Sequence, residues 1–208
     1  MRRGPHTRQR LMNAAAALFE RHGFGGTSIR DITDLARANL GAVTYYFKSK
    51  AALFSAVMEP KLAILVRRSN AIAESRAAAP QKFRLLYREY VQCVLSREPS
   101  LRAVFSDLIH GGGHLTQDLM AHLLSLHATA VRIIREGIEQ GVFRDGNVEH
   151  TVHMAFGTVV PFLGFDRHLD GPKQMARFTR AEADAIANSG FAFIMNGVAI
   201  SGRRRKLK

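Results

Sequence analysis

Between Ser28 and Lys50 the chain reads SIRDITDLARANLGAVTYYFKSK, a stretch that leaves room for little besides two short helices and a tight turn. Ser28-Ile29-Arg30-Asp31 is a capping-box pattern: a hydroxyl to receive an orphan N–H, and a carboxylate three residues on. Ile29, Ile32 and Leu35 follow at three-residue spacing and predict one apolar face. Ala36-Arg37-Ala38 forms the predicted turn. Asn39 is a good N-cap for the next helix, because its amide oxygen accepts the N–H two or three residues on. Ala42, Val43, Tyr46 and Phe47 give that helix its apolar surface. Two helices of about two turns each, crossing steeply, make a helix-turn-helix, whose second helix enters the DNA major groove.

The segment before it completes a three-helix unit. Leu11, Ala14, Ala15, Leu18 and Phe19 recur on one helical face and predict a helix from Thr7 to His22. Gly23 is its expected left-handed C-terminal residue. Phe24 turns back to the core, and Gly25-Gly26 link to the next helix. Leu18, Phe19, Phe24, Ile29, Ile32, Leu35, Val43 and Phe47 are the expected shared core.

Charge points to the partner. The net charge is +13: residues 1–50 carry +6, residues 51–110 carry +4, residues 111–202 carry −2, and the tail from Arg203 to Lys208 adds +5. A basic N-terminal half suits a phosphate backbone. No run of about 18 apolar residues suggests a membrane span. The basic N-terminus leads into an amphipathic pattern rather than a signal-peptide apolar run, and the one cysteine, Cys93, fits a reducing cytoplasm. The expected location is therefore cytoplasmic.

A helix ending in LFERHGF, then TSIRDI, then a short helix ending Y-x-F, then KSK-x-x-LF, resembles the TetR family of bacterial transcriptional repressors over about residues 7–60. The segment Asn39-Leu40-Gly41-Ala42-Val43-Thr44-Tyr45-Tyr46-Phe47 is similar to members that carry N-L-x-A-V-x-Y-H-F. Arg37 departs from the turn glycine usual there, and Tyr46 stands where histidine is usual; a phenol still hydrogen-bonds phosphate. The resemblance implies a ligand-responsive, homodimeric repressor in which Thr27, Ser28, Arg37, Tyr45, Tyr46 and Lys50 contact the DNA backbone. Asn39, Leu40, Gly41 and Thr44 then face the groove, Asn39 against an adenine edge and Leu40 against a thymine methyl.

Beyond residue 53 the pattern stays helical. The expected architecture is all-α with about nine helices: a DNA-binding domain over 1–52 and a regulatory and dimerisation domain over 53–208. A helix runs from Ser49 to Asn70 with a kink at Pro60, and a strongly amphipathic one from Gln81 to Ser96. A further helix reaches His110, where Gly111-Gly112-Gly113 break it. Leu115–Gln140 follows, with Leu119, Leu123, Leu126, Val131, Ile134 and Ile138 inward. Asn147 starts a helix to Phe165, bent at Pro161, and Thr179 with Glu182 caps the last helix, Arg180 to Ile200. Small residues and Phe in the last two helices predict a four-helix dimer interface, so a dimer reads a palindromic operator.

The family resemblance also implies a small-molecule site among the later helices. Phe83, Tyr87, Tyr90, Phe105, His127, Met154, Phe156 and Phe162 are its expected lining, suited to an apolar or aromatic effector. The His110/His114 and His150/His153 pairs lack a completing carboxylate or cysteine cluster, so no metal or other cofactor is expected. No nucleophile elbow, zincin motif or catalytic triad signature is present, which argues against an enzyme. The rival class is a basic helical DNA-binding adaptor without effector control, and a large specificity ratio distinguishes the two.

Overall fold

A computed structural model describes residues 4–97, 101–109, 111–164 and 178–198. Residues 1–3, 98–100, His110, 165–177 and 199–208, the last including the basic tail, lie outside the described residues. Among the described residues the chain is all-helical, with no β-strand.

Helix α1 spans Gly4–His22, three residues longer at its start than the periodicity suggested. Leu11, Ala15 and Phe19 are fully buried along it, and Gly23 closes it at φ +69° with its N–H on Phe19 O. Helix α2, Ile29–Leu35, begins with the expected capping box: Ser28 Oγ accepts from Asp31 N, and the Asp31 carboxylate accepts from Ser28 N at 2.9 Å. Leu35 is a correction, being 57% exposed rather than core. Three residues advance only about 300° on an α-helix, so a strict three-residue repeat drifts off the buried face. Ile32 and Ala36, four apart, hold the core instead.

Arg37 makes the turn at φ +49°, the left-handed region where glycine is easiest. Helix α3, Gly41–Phe47, then lays Val43 and Phe47 against the core. Its N-cap is Leu40 with no side-chain cap bond, so the expected Asn39 cap does not form.

Helix α4, Lys50–Glu74, is capped by Ser49 Oγ and continues through Pro60, which lies on its exposed side. It packs on α1 and α3 at its start. Further along it runs beside α5 (Ala79–Gln92) and α7 (Gln117–Glu139). Helix α5 begins two residues before the predicted Gln81, because proline in the first helical turn sacrifices no hydrogen bond. A π-helical turn, Cys93–Arg97, extends α5, and α6 covers Leu101–Ile109. Thr116 caps α7, and Asn147 Oδ1 caps α8 (Val148–Gly157) by accepting from His150 N. The single helix expected from Asn147 to Phe165 is two: α8 stops at Gly157, and Pro161 opens a separate turn, α9, Pro161–Gly164. Helix α10, Arg180–Val198, carries the predicted Thr179/Glu182 capping box and packs along α5.

Two glycines permit the closest approaches in the second unit. A Cβ at Gly137 collides with the Phe143 ring, and one at Gly190 collides with the Tyr87 hydroxyl. Several buried polar groups are paired across helices: Lys82 Nζ with Glu136 at 2.9 Å, Ser55 with Thr116 at 2.6 Å, and Thr129 with Asn70 at 2.8 Å. Such pairing matters because an unpartnered buried polar group costs about 1–3 kcal/mol.

Candidate nucleic-acid interface and effector cavity

The underside of α3 is buried and its outer face is not. Asn39, Gly41 and Thr44 are exposed beside Leu40 at 56% and Tyr45 at 74%. The same face thus offers both polar groups and apolar surface to whatever binds it. The Asn39 side chain makes no hydrogen bond among the described residues, so its amide is unspent. A Cβ at Gly41 meets nothing within 4 Å, so packing inside the chain does not require glycine there. Tyr46 is half-buried against the core and meets Tyr45 edge-on at 4.8 Å.

The other sequence-predicted DNA residues divide. Ser28 and Arg37 are exposed, and Arg10 Nη2 reaches Arg37 O at 3.4 Å. Thr27 is only 2% exposed, and its hydroxyl donates to Gly23 O at 2.8 Å. Lys50 turns inward in part. Its ammonium donates to Phe24 O and Thr27 O, both at 2.9 Å, and sits 4.1 Å from the centre of the Phe24 ring. Partial burial pulls its pKa below the usual lysine value. An ammonium has three N–H groups, so two fasten the α1–α2 loop and one stays free.

Phe24 also joins this unit to the rest of the chain. It packs on Phe19 and Phe54, and the His114 ring stacks on it at 4.2 Å. Asp107, on α6, holds His114 by both its backbone N–H and Nδ1, the latter at 2.7 Å. Leu108 and Ile109, next along α6, border a cavity.

That cavity, about 440 Å³, lies among α4, α5, α6, α7 and α8. Of the residues expected to line an effector site, Tyr90, Phe105, His127 and Phe156 border this cavity. Phe83, Tyr87, Met154 and Phe162 do not. Phe83 and Tyr87 are buried between α5 and its neighbours: Phe83 meets Phe143 and Phe191, and Tyr87 Oη shares a 2.6 Å hydrogen bond with Thr158 Oγ1. Helix α5 is buried on two sides, and only Leu86 and Tyr90 face the cavity side. Phe162 meets Phe178 edge-on, while Met154 is 68% exposed on the outer face of α8. Leu65, Ser69, Met120, Leu123, Leu126, Val152 and His153 also border the space. Their periodicity marks them as inward, but it carries no sign of whether they meet a neighbour or a void.

His127 and His153 stack at 5.0 Å, and His127 Nε2 lies 3.1 Å from Glu149 Oε2, an ion-pair distance without hydrogen-bond alignment. No group of three potential metal ligands occurs among the described residues. None of the described helices is long and apolar enough to cross a membrane.

Residues 11–57 match the family described as "Bacterial regulatory proteins, tetR family". The HTH-type transcriptional repressor NicS of Pseudomonas putida is 27% identical over 96% of this chain and 93% of its own. The HTH-type transcriptional repressor SCO4008 of Streptomyces coelicolor is 30% identical over 67% of this chain and 68% of its own. Among solved structures, the regulator FadR of Bacillus subtilis in complex with stearoyl-CoA superposes with a TM-score of 0.70 at 20% identity, over 91% of this chain and 98% of that one.

Proposed function

The chain belongs to the TetR family of DNA-binding transcriptional regulators, and from that premise we propose that it is a cytoplasmic homodimeric repressor that leaves a palindromic operator when a small molecule fills the cavity. The exposed, unspent outer face of α3 on a fully buried underside carries this reading. Asn39, Leu40, Gly41 and Thr44 meet base edges, with the Asn39 amide matched to adenine and Leu40 to a thymine methyl. Ser28, Arg37, Tyr45 and Tyr46 meet phosphates. Lys50 spends two donors on the loop and offers the third to phosphate, and Thr27 shapes the same loop from within.

The division into 1–52 and 53–208 falls inside α4, which therefore couples the two units mechanically. Met154 on α8 and Phe193 on α10 are 68% and 74% exposed, and they support a dimer formed through those helices. Two recognition helices about 34 Å apart then read successive major grooves. The relative bound to stearoyl-CoA has the same fold, which supports a ligand role for the cavity. Release follows if the ligand prefers the state with mismatched recognition helices, by its differential affinity for the two states.

The test is selection from a randomised duplex pool at near-physiological salt. An enriched palindrome is the expected result. Retention without enrichment identifies the protein as a non-specific DNA-binding adaptor instead, because only base readout yields a large specificity ratio.

A further inference from the structure

Two tyrosines one helical turn apart on α5 differ in one respect. Tyr87 Oη is paired with Thr158, whereas the Tyr90 hydroxyl has no hydrogen-bond partner among the described residues. Tyr90 is only 8% exposed. Its Oη is nevertheless not sealed: among the described residues it is absent from the buried polar atoms that lack both solvent and a hydrogen bond. The phenol therefore borders open space, and the space it borders is the cavity. Phe105 and Phe156 meet its ring edge-on at 5.3 and 4.7 Å and fix its position.

Among the described residues the rest of the wall holds no Asp, Glu, Lys or Arg, and its polar side chains are Ser69, His127 and His153. At its rim His153 and Leu124 are exposed, and the Glu149 carboxylate beside His127 disfavours an anionic group there. An ionised group inside would lose its hydration, and no described Asp, Glu, Lys or Arg of the wall offers it a fixed opposite charge. Resting on the effector reading above, we propose that the effector is an uncharged, chiefly apolar molecule with one hydrogen-bonding oxygen (a ketone, ester or alcohol) that takes its hydrogen bond from Tyr90 Oη. Burial keeps that phenol protonated, since its pKa is pushed well above the usual tyrosine value.

The experiment uses the full chain and displacement of the neutral fluorophore N-phenyl-1-naphthylamine by 2-undecanone, undecanoate and undecane. The ketone should bind more tightly than the carboxylate. Tyr90→Phe should raise the Kd of the ketone roughly five- to tenfold, the scale of one neutral hydrogen bond, and leave that of undecane unchanged. An unchanged ketone Kd in Tyr90→Phe, a tighter carboxylate, or no displacement by the ketone overturns the proposed class. Gly157→Phe and Leu123→Trp separate this from failure of the cavity reading. Both positions border the cavity, and a Cβ at Gly157 meets nothing within 4 Å, so the first variant adds bulk without a built-in clash. Fluorophore and ketone binding that persists in both fillers removes the cavity as the site, and the effector reading with it. Binding lost in the fillers but indifferent to Tyr90→Phe leaves the cavity reading standing and sinks only the ligand class.

Discussion

At the scale of single residues, position in the fold decides what a side chain has left to offer. Lys50 and Asn39 illustrate both outcomes. The sequence places a lysine at the start of α4 and suggests a phosphate contact, but the carbonyls of Phe24 and Thr27 claim two of its donors. Lys50→Ala should therefore act twice. It should lower stability by about 1–3 kcal/mol, as expected for lost hydrogen bonds from a charged donor. It should also weaken binding to all DNA sequences alike and shallow the salt dependence. Denaturant unfolding and binding across a salt series test the pair. A variant with wild-type stability would remove the loop-fastening role. Asn39 is the converse: the sequence allows it to cap α3, but the helix begins without that bond, and the amide remains free for a base edge.

At the scale of elements, the helix ends are where sequence spoke most clearly. Both capping boxes, Ser28/Asp31 and Thr179/Glu182, form as their spacing predicts, because each requires only local geometry. Hydrogen bonds from the Ser28 hydroxyl and then its backbone hold the Asp31 pKa below its ordinary 3.8. The Thr179 backbone and then its hydroxyl hold Glu182 below 4.5. The unfolded chain binds these protons more tightly than the folded one. Their stabilisation is thus complete above about pH 4.5 and is lost as pH falls through the lowered folded values. Thermal melts of the wild type should decline below pH 4.5, and Ser28→Ala should melt about 2–4 °C lower at neutral pH. A Ser28→Ala melt equal to wild type at pH 7 would deny the cap any energetic weight. The α8 region went the other way. Its apolar pattern runs on through Pro161, yet the helix ends at Gly157 and a separate turn opens at Pro161, with Val159 fully buried between them.

At the scale of the whole molecule, α4 and α6 tie the reading head to the cavity. Helix α6 borders the cavity with Phe105, Leu108 and Ile109, while its Asp107 holds His114 against Phe24. Motion at the cavity and the loop before α2 therefore share one element. The outward Met154 and Phe193 belong to this scale too, since both are largely exposed on the described chain. Phe193→Glu should convert a dimer to a monomer in sedimentation at micromolar concentration. It should also abolish preference for palindromes over half-sites, because one recognition helix cannot span both. A Phe193→Glu dimer would place the interface elsewhere.

The sequence alone determined the all-helical class, the three-helix reading head and both capping boxes, because periodicity, caps and turn residues act within a few positions of themselves. It also determined the family, through motifs at fixed mutual spacing. Only the tertiary structure decided which inward residues meet a void rather than a neighbour, why Tyr90 differs from Tyr87, and where Lys50 spends its charge. Each of those depends on groups brought together from distant parts of the chain, and a cavity is the space that several helices leave unfilled between them, which no single stretch of residues encodes.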